Sequence, residues 1–487
     1  MKNIVIVGGG ITGLAAAYEA VSRAKKENRP VRVTVLEQSH RFGGKIKSHE
    51  TDDFVIEAGP DSIYTKKQGG MELIRELGLE SDVVYSPTEM KTGILRRGNL
   101  FPLPPGMTFG LPTNIRSFAF NSLIPLSGKL RGLWDFLLPR DKDEEDKTIG
   151  KMLRRRIGND LVDILAEPML AGIHAGSVDR LSLNTVAPYL KKMEQDNRSL
   201  IRAMLKQGKA SAASTAAKKP AFVSLKHGLQ QLIDTLVDTL QADVTLRTNA
   251  SVTNIERTQT GKFRLYHRDD AGNKEKLDAD SVLLCVPAFA AKRLIPAPSQ
   301  PIYEWLQQIP YVSTAAVSLV YPVKESEMEL PYTGFLVPRG EDTILTACTV
   351  VSSKWSHSSH NGNIIVRGYV GRDGEHRGMA KSDKAIIKHV DEKMREYFGF
   401  TVNPVWSKVD RWPHAMPQYL VGHGEKLAKL RRQLAQDVPG MYLAGAGYNG
   451  MGIPDCIRQG REAMRECMDN TVVAFNRTPT TQGAVGK

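Results

Sequence analysis

The chain has 487 residues, 41% hydrophobic and 24% charged, with a formal net charge of +13. Its length exceeds one compact core and predicts two or more lobes, and no uninterrupted apolar run approaches the roughly eighteen residues of a spanning helix, which excludes one. The charge fits a nucleic acid, an anionic membrane surface or an anionic small molecule, and alone it decides nothing among them.

Lys2 runs directly into the strand Ile4–Val7 and then glycine, too short an apolar segment for a signal peptide. Ile11 to about Lys26 reads as a helix and Val31–Glu37 as the next strand, completing a βαβ unit. A helix follows near Gly69–Leu77. Prolines from Pro102 to Pro125 break any long element between Leu95 and Leu126. Helical patterning then dominates from Ile149 to about Lys206. The basic cluster Lys151, Arg154, Arg155 and Arg156 lacks interleaved aromatics and reads as a solvated helix face, with no nucleic-acid partner.

Lys209–Pro220 is low in complexity and predicts a mobile loop. A helix at Leu229–Leu240 precedes strands at Val244–Arg247, Ser251–Glu256, Phe263–His267 and Ser281–Val286. The runs Ala315–Tyr321, Gly334–Val337, Ile344–Val351 and Ile364–Val370 suit an antiparallel sheet. Met441–Ala444 is a last buried strand, followed by a helix from about Asp455 to Asp469. The four cysteines (Cys285, Cys348, Cys456, Cys467) lack C-x-x-C spacing, which predicts no metal site, no disulfide framework and a reducing, cytoplasmic setting.

Gly8-Gly9-Gly10-Ile11-Thr12-Gly13 places G-x-G-x-x-G between a strand and a helix. Gly8 allows the tight turn, Gly10 lets a pyrophosphate approach the backbone, Gly13 lets helix and sheet close, and the helix N-terminus favours the anion. Glu37, with Gln38 beside it, ends the second strand, where a carboxylate accepts ribose hydroxyls and disfavours a 2′-phosphate. Arg41-Phe42-Gly43-Gly44-Lys45 resembles the R-x-G-G-[RK] motif of flavoproteins that bind two dinucleotides, and points to FAD over NAD. Arg41 and Lys45 are suited to offset phosphate charge. Glu57-Ala58-Gly59-Pro60-Asp61-Ser62 resembles the turn along the flavin ring in such proteins. Gly445-Ala446-Gly447 and Gly450-Met451-Gly452-Ile453 resemble the segment at the ribityl chain and the pyrimidine end.

With Glu167-Pro-Met-Leu-Ala-Gly-Ile-His-Ala-Gly176, Met416-Pro-Gln-Tyr419 and Ile453-Pro-Asp-Cys456, the chain resembles the protoporphyrinogen oxidase family, and within it the Gram-positive coproporphyrinogen III oxidases. The resemblance spans nearly the whole chain except the 209–220 loop and the tail. It implies an α/β fold: a Rossmann-type FAD lobe of the p-hydroxybenzoate-hydroxylase-like, amine-oxidase type (residues 1–65, 222–300 and 408–475), a helical subdomain (66–221), a mixed or antiparallel substrate sheet (300–407) and a flexible tail (476–487). FAD is held non-covalently, Cys456 lying past the flavin turn. The resemblance also places Val252 at the adenine and adds Trp412 to the FAD-binding set.

The implied reaction removes six hydrogens from an anionic porphyrinogen, with oxygen as acceptor and hydrogen peroxide as product. Protoporphyrinogen IX oxidase, an amine oxidase and a non-catalytic FAD-holding partner of haem synthesis remain as alternatives. Lys67, beside Lys66, matches a functional lysine and is set against a solvated surface lysine. Arg339 and Arg367 are weaker cations for the propionates. Tyr369 is a macrocycle contact set against strand-core packing, and His174 reads as structural before catalytic. A cytoplasmic protein with optional membrane-surface contact, and room for a haem-pathway protein partner, completes the expectation.

Overall fold

The computed structural model describes residues 1–104, 106–108, 110–213, 220–269, 271–296 and 300–469. The expected flexible tail, 476–487, lies outside them. A parallel five-stranded sheet runs in the order Val244–Arg247, Val31–Leu36, Lys2–Val7, Ser281–Leu284, Met441–Leu443. Helices cover one face and a second layer the other, so its strands are apolar on both sides, with Ile4, Val5 and Ile6 all buried. Helices Ile11–Glu27, Gln230–Leu240 and Ile453–Asp469 pack on the first face through Leu14, Ala16, Ile233, Leu236, Ile457 and Met464. The antiparallel strands Ser251–Arg257, Phe263–Arg268 and Lys274–Ala279 and helices Ala288–Leu294, Gln300–Gln307 and His423–Asp437 pack on the second.

The second large sheet has seven strands in the order Trp406–Pro417, Tyr311–Lys324, Asn363–Val370, Leu345–Val350, Gly334–Leu336, Thr92–Arg96, Asn99–Pro102. All its pairings are antiparallel except Gly334–Leu336 with Thr92–Arg96, so the sheet is mixed. It is wider than the expected 300–407: two strands come from the proline-rich stretch and one from the segment assigned to the parallel lobe. The first two form a hairpin around Arg97 and Gly98, both at positive φ (52° and 77°), the geometry of a tight two-residue turn. Helix Asp383–Phe398 covers one face of this sheet through Ile386, Val390 and Met394. The other face carries Arg367 and Tyr369, two residues apart on one strand and so on one side of it.

The helical part runs from Ile149–Ile157 to Leu200–Ala213. Residues 209–213 continue that last helix rather than opening a loop, because alanine is the strongest helix former; 214–219 lie outside the described residues. The basic cluster is also not a simple solvated face. Arg156 is fully buried, paired with Asp135 at 3.2 Å and with Glu194. Arg155 shares Glu194 at 3.0 Å, and Arg154 pairs with Asp163 and Asp179 at 2.8 Å each.

Candidate functional site

The site starts where strand Lys2–Val7 turns into helix Ile11–Glu27. Gly8 sits at φ 106°, and a Cβ there would lie 2.8 Å from the carbonyl oxygen of Cys285. A Cβ on Gly13 would lie well under 3.0 Å from the carbonyl oxygen of Gly8. Only glycine permits this closeness of turn, helix and sheet. The helix begins at Gly10 without a side-chain cap, and its first residues, Ile11 and Thr12, are buried. Its first-turn N–H groups are thereby offered to an outside acceptor.

A second glycine stretch crosses the first. Gly43 N–H donates to the Gly9 carbonyl at 2.9 Å, and Gly43 and Gly44 take φ 104° and 59°. A Cβ on Gly10 would meet nothing nearer than the Cα of Gly44, at 4.0 Å. A third arrives from the end of strand Met441–Leu443: Gly445, at φ 128°, would bring its Cβ to 3.8 Å from Thr12 Oγ1. Three stretches far apart in sequence thus expose backbone around one helix start.

Glu37 is buried, one carboxylate oxygen accepting the Gly9 N–H at 2.7 Å, the other the Ser39 N–H and hydroxyl at 2.9 and 2.8 Å. Gln38 is exposed. The Ala250 N–H donates to the Glu37 carbonyl at 2.8 Å, which brings half-buried Val252, at a bulge two residues on, beside this strand end. Arg41 and Lys45 depart from the expectation. The Arg41 guanidinium donates to the carbonyls of Phe42, Gly44 and Ile46 at 3.0, 2.7 and 2.9 Å. The Lys45 ammonium donates to Ala415 O, and burial pulls its pKa down. Both cations bond to backbone carbonyls around the loop, and the positive end left for an anion here is the helix N-terminus.

The Glu57–Ser62 turn lies between the two lobes. A Cβ on Gly59 would overlap the Lys45 carbonyl. The Trp412 indole donates to Ala58 O at 2.8 Å, and Arg367 to Gly59 O at 2.5 Å. Trp412 belongs to the edge strand of the seven-stranded sheet, so that sheet holds the turn in place. Pro60 follows, half-buried. Asp61 pairs with Lys354 at 2.7 Å and accepts the Ser62 hydroxyl at 2.8 Å. Burial would raise its pKa, but Lys354 and Arg367 outweigh that and leave it at about 2.

Glu57 goes the other way. Burial lifts its pKa to about 7, against the Leu229 N–H, the Ser48 hydroxyl and the Arg367 charge. Sequence reading named Glu57 only as part of a motif, and the nearby Arg367 charge had no local signal. A carboxyl raised on folding makes the native state hold more protons than the unfolded one, so it lowers stability as pH rises from about 4.5 to about 7. Glu57→Gln keeps the shape without titrating. Its melting temperature is expected to lose part of the wild-type fall across that window, read by thermal denaturation at successive pH values.

Of the cationic candidates, Lys67, Arg339 and Arg367 are already engaged. Lys67 pairs with Asp455 at 2.6 Å and is half exposed. Lys66 is exposed. Arg367 is 3% exposed and lies 5.1 Å from the centre of the Tyr369 ring, on the sheet face that meets the turn. Arg339 binds Glu167, and Glu375 at 3.3 Å. His174 ends its helix with its ring Nδ1 buried and unpartnered, and burial lowers its pKa to about 4. Ala446, Met451, Gly452 and Ile453 continue from Gly445 into the last helix, whose first turn carries Asp455. Cys456 is buried and free, as are Cys348 and Cys467, with Cys285 half-buried and free. Among the described residues no cluster of three His, Cys, Asp or Glu side chains is placed to hold a metal, and no helix is long and apolar enough to cross a membrane.

An uncapped, buried helix start, ringed by three glycine backbones and backed by a buried carboxylate, fits a dinucleotide. Gly8–Gly13 would hold its pyrophosphate, Glu37 a ribose, and the 59–62 and 445–453 turns its ring. The chain matches the family model described as flavin containing amine oxidoreductase over residues 11–468. It is 38% identical over 470 residues to the coproporphyrinogen III oxidase of Bacillus subtilis (strain 168), covering 96% of this chain and 98% of that one. It is 33% identical to the Staphylococcus aureus protein of the same name, covering 96% and 98%. A solved structure from Exiguobacterium sp. 255-15, provisionally named a protoporphyrinogen oxidase, superposes with a TM-score of 0.85 at 33% identity, covering 96% of this chain and 99% of that one.

Proposed function

The chain belongs to the flavin containing amine oxidoreductases and is an FAD-dependent oxidoreductase, and from that premise we propose that it oxidises coproporphyrinogen III to coproporphyrin III. The observation that carries this reading is the meeting of three glycine stretches at one uncapped helix, in a chain 38% identical to the Bacillus subtilis enzyme over 96% of its length. The bound flavin supplies a two-electron acceptor that oxygen regenerates with release of hydrogen peroxide. The chain's own part is to bind, orient and exclude water. Arg367 and Trp412 fix the Gly59 turn against the seven-stranded sheet, and Tyr369 extends that face. Three rounds remove six hydrogens from one macrocycle, so positioning matters more than any single acid or base.

An amine oxidase reading needs aromatic side chains facing the amine at the C-terminal turn. The one aromatic there, Tyr448, is fully buried in the core beneath the parallel sheet, which favours the porphyrinogen. The decisive experiment mixes holoprotein with coproporphyrinogen III or protoporphyrinogen IX without oxygen. Bleaching of the flavin without oxygen, and growth of porphyrin fluorescence once oxygen is admitted to regenerate the flavin, are expected, both faster with the tetracarboxylate. A flavin that stays oxidised with both substrates defeats the enzyme reading in favour of an FAD-holding partner, and faster reaction with protoporphyrinogen moves the substrate to the dicarboxylate.

Lys67 supplies a cation for one propionate by exchanging Asp455 for the substrate. Lys67→Ala is expected to raise KM for the tetracarboxylate about five- to tenfold with kcat within about twofold, the pattern of a lost uniform binding contact. A fall in melting temperature with KM unchanged would assign the lysine to Asp455 alone.

The protein works in the cytoplasm and touches a membrane surface through helix Leu126–Leu133. That helix buries Gly128 and Gly132 against Asp160 and Leu161 and turns Leu126, Leu130 and Leu133 outward. Phe120, 89% exposed, and Trp134, 57% exposed, extend the stripe, with exposed Arg116, Arg131 and Arg140 around it. Apolar area beside cations suits an anionic interface. Co-flotation with phosphatidylglycerol vesicles is expected, and at least a severalfold loss in a Phe120→Glu, Trp134→Glu double variant. Equal flotation of the variant would dismiss the contact.

A further inference from the structure

Tyr419 closes the Met416–Tyr419 motif, just after strand Trp406–Pro417. It is 3% exposed, and its hydroxyl both donates to the Ala446 carbonyl and accepts the Gly450 N–H at 3.1 Å, so one oxygen ties the two ends of the 446–450 turn. Further polar backbone of the turn is held by neighbouring groups. Tyr448 N–H donates to Gly445 O at 3.1 Å, and His423 Nε2 lies 2.7 Å from Tyr448 O. Gln459, itself buried, accepts the Asn449 N–H at 3.1 Å and donates to Gly450 O at 2.9 Å. The rings of Tyr419 and His423 lie 4.6 Å apart. The clamp is anchored in turn: Tyr419 O accepts the Ser182 N–H, and the Gly422 N–H donates to Asp146, both at 2.8 Å.

A turn whose polar groups are satisfied by buried side chains keeps its shape before any ligand arrives. Such preorganisation spares the ordering cost on binding. The phenol can serve as donor and acceptor together only while it keeps its proton, and burial raises its pKa well above the ordinary value. We propose that Tyr419 is a positioning residue that pre-forms the 445–451 turn for the flavin, its hydroxyl setting the separation of Ala446 and Gly450. This rests on the assignment of that segment to the flavin.

The test strips FAD from the purified protein and titrates it back, reading the dissociation constant, the flavin absorption band and the flavin reduction potential. Tyr419→Phe keeps the ring and removes both hydrogen bonds; about tenfold weaker FAD binding is expected, with a shifted band and potential. Tyr321→Phe, which loses a comparable hydrogen bond to Asp391 (2.7 Å) in the core of the other sheet, is expected to melt lower yet keep the wild-type constant, band and potential. Should Tyr419→Phe not fold, His423→Phe drops only the Tyr448 bond and is expected to weaken FAD about threefold. Wild-type affinity, band and potential in the Tyr419 variant, or in the His423 variant if it stands in, overturn the proposal. Gly445→Val separates the two layers, because a branched residue at φ 128° is strained and faces Thr12. If Gly445→Val also binds FAD normally, the assignment of the segment itself fails. If Gly445→Val alone weakens FAD, only the role of Tyr419 fails.

Discussion

Gly13→Ala is expected to give protein that purifies without FAD and shows no oxidase activity. One methyl group at this position would press on the carbonyl oxygen of Gly8, which is backbone and has no rotamer to yield. Relief requires the helix to move off the sheet, and overpacking of that kind costs about 1–3 kcal/mol or more. The same movement displaces the N–H groups of the first turn, the positive site proposed for the pyrophosphate. Binding should therefore fall further than stability. Gly10→Ala makes the contrast: its Cβ would meet only the Gly44 Cα, at 4.0 Å, so the fold tolerates it, and any loss reports on the approach of a ligand. The pair is read by absorbance of the purified proteins at the flavin band, by thermal melting and by FAD titration. Gly13→Ala protein that arrives yellow and fully active would contradict the packing argument.

The parallel sheet was legible because its strands are buried on both faces and Gly8 and Gly13 meet a steric need, so pattern and packing agree there. The strand Trp406–Pro417 was not. It holds Pro413 and alternates poorly, yet it stands at the edge of its sheet with an irregular register, where a residue without an N–H does no harm. The hairpin of Thr92–Arg96 and Asn99–Pro102 was hidden by the prolines that follow it, although Arg-Gly between two apolar runs was a usable signal. At the site, the glycines could be read singly because each acts through its own missing side chain. The charged residues could not, because what a charge does depends on its partner. Lys67 finds Asp455 and Arg367 finds the Gly59 carbonyl from hundreds of positions away; Arg41 turns inward on its own loop.

The same limit hid the buried ion network, where the largest loss of stability is expected. Arg156 pairs with Asp135 and Glu194, both buried, and fills its remaining donors with the carbonyls of Leu138 and Pro139 at 3.4 and 2.8 Å. Asp135 in turn accepts the Ser199 hydroxyl at 2.5 Å and the Ile201 N–H at 2.9 Å. Arg156→Met keeps the volume and removes the charge, leaving two buried carboxylates short of a partner. Breaking one side of such a pair costs about 3–5 kcal/mol. Arg154→Met, which loses the more exposed pairs to Asp163 and Asp179, should cost under about 1 kcal/mol. The network joins the segment around 135–139 to helices Ile149–Ile157 and Pro188–Asn197, in a core separate from the one beneath the glycine turns. Arg156→Met is thus expected to lower the melting temperature and open the helical part to limited proteolysis, while the flavin band of the folded fraction stays as in the wild type. Equal melting of the two variants would mean that the buried carboxylates find another partner or take up protons.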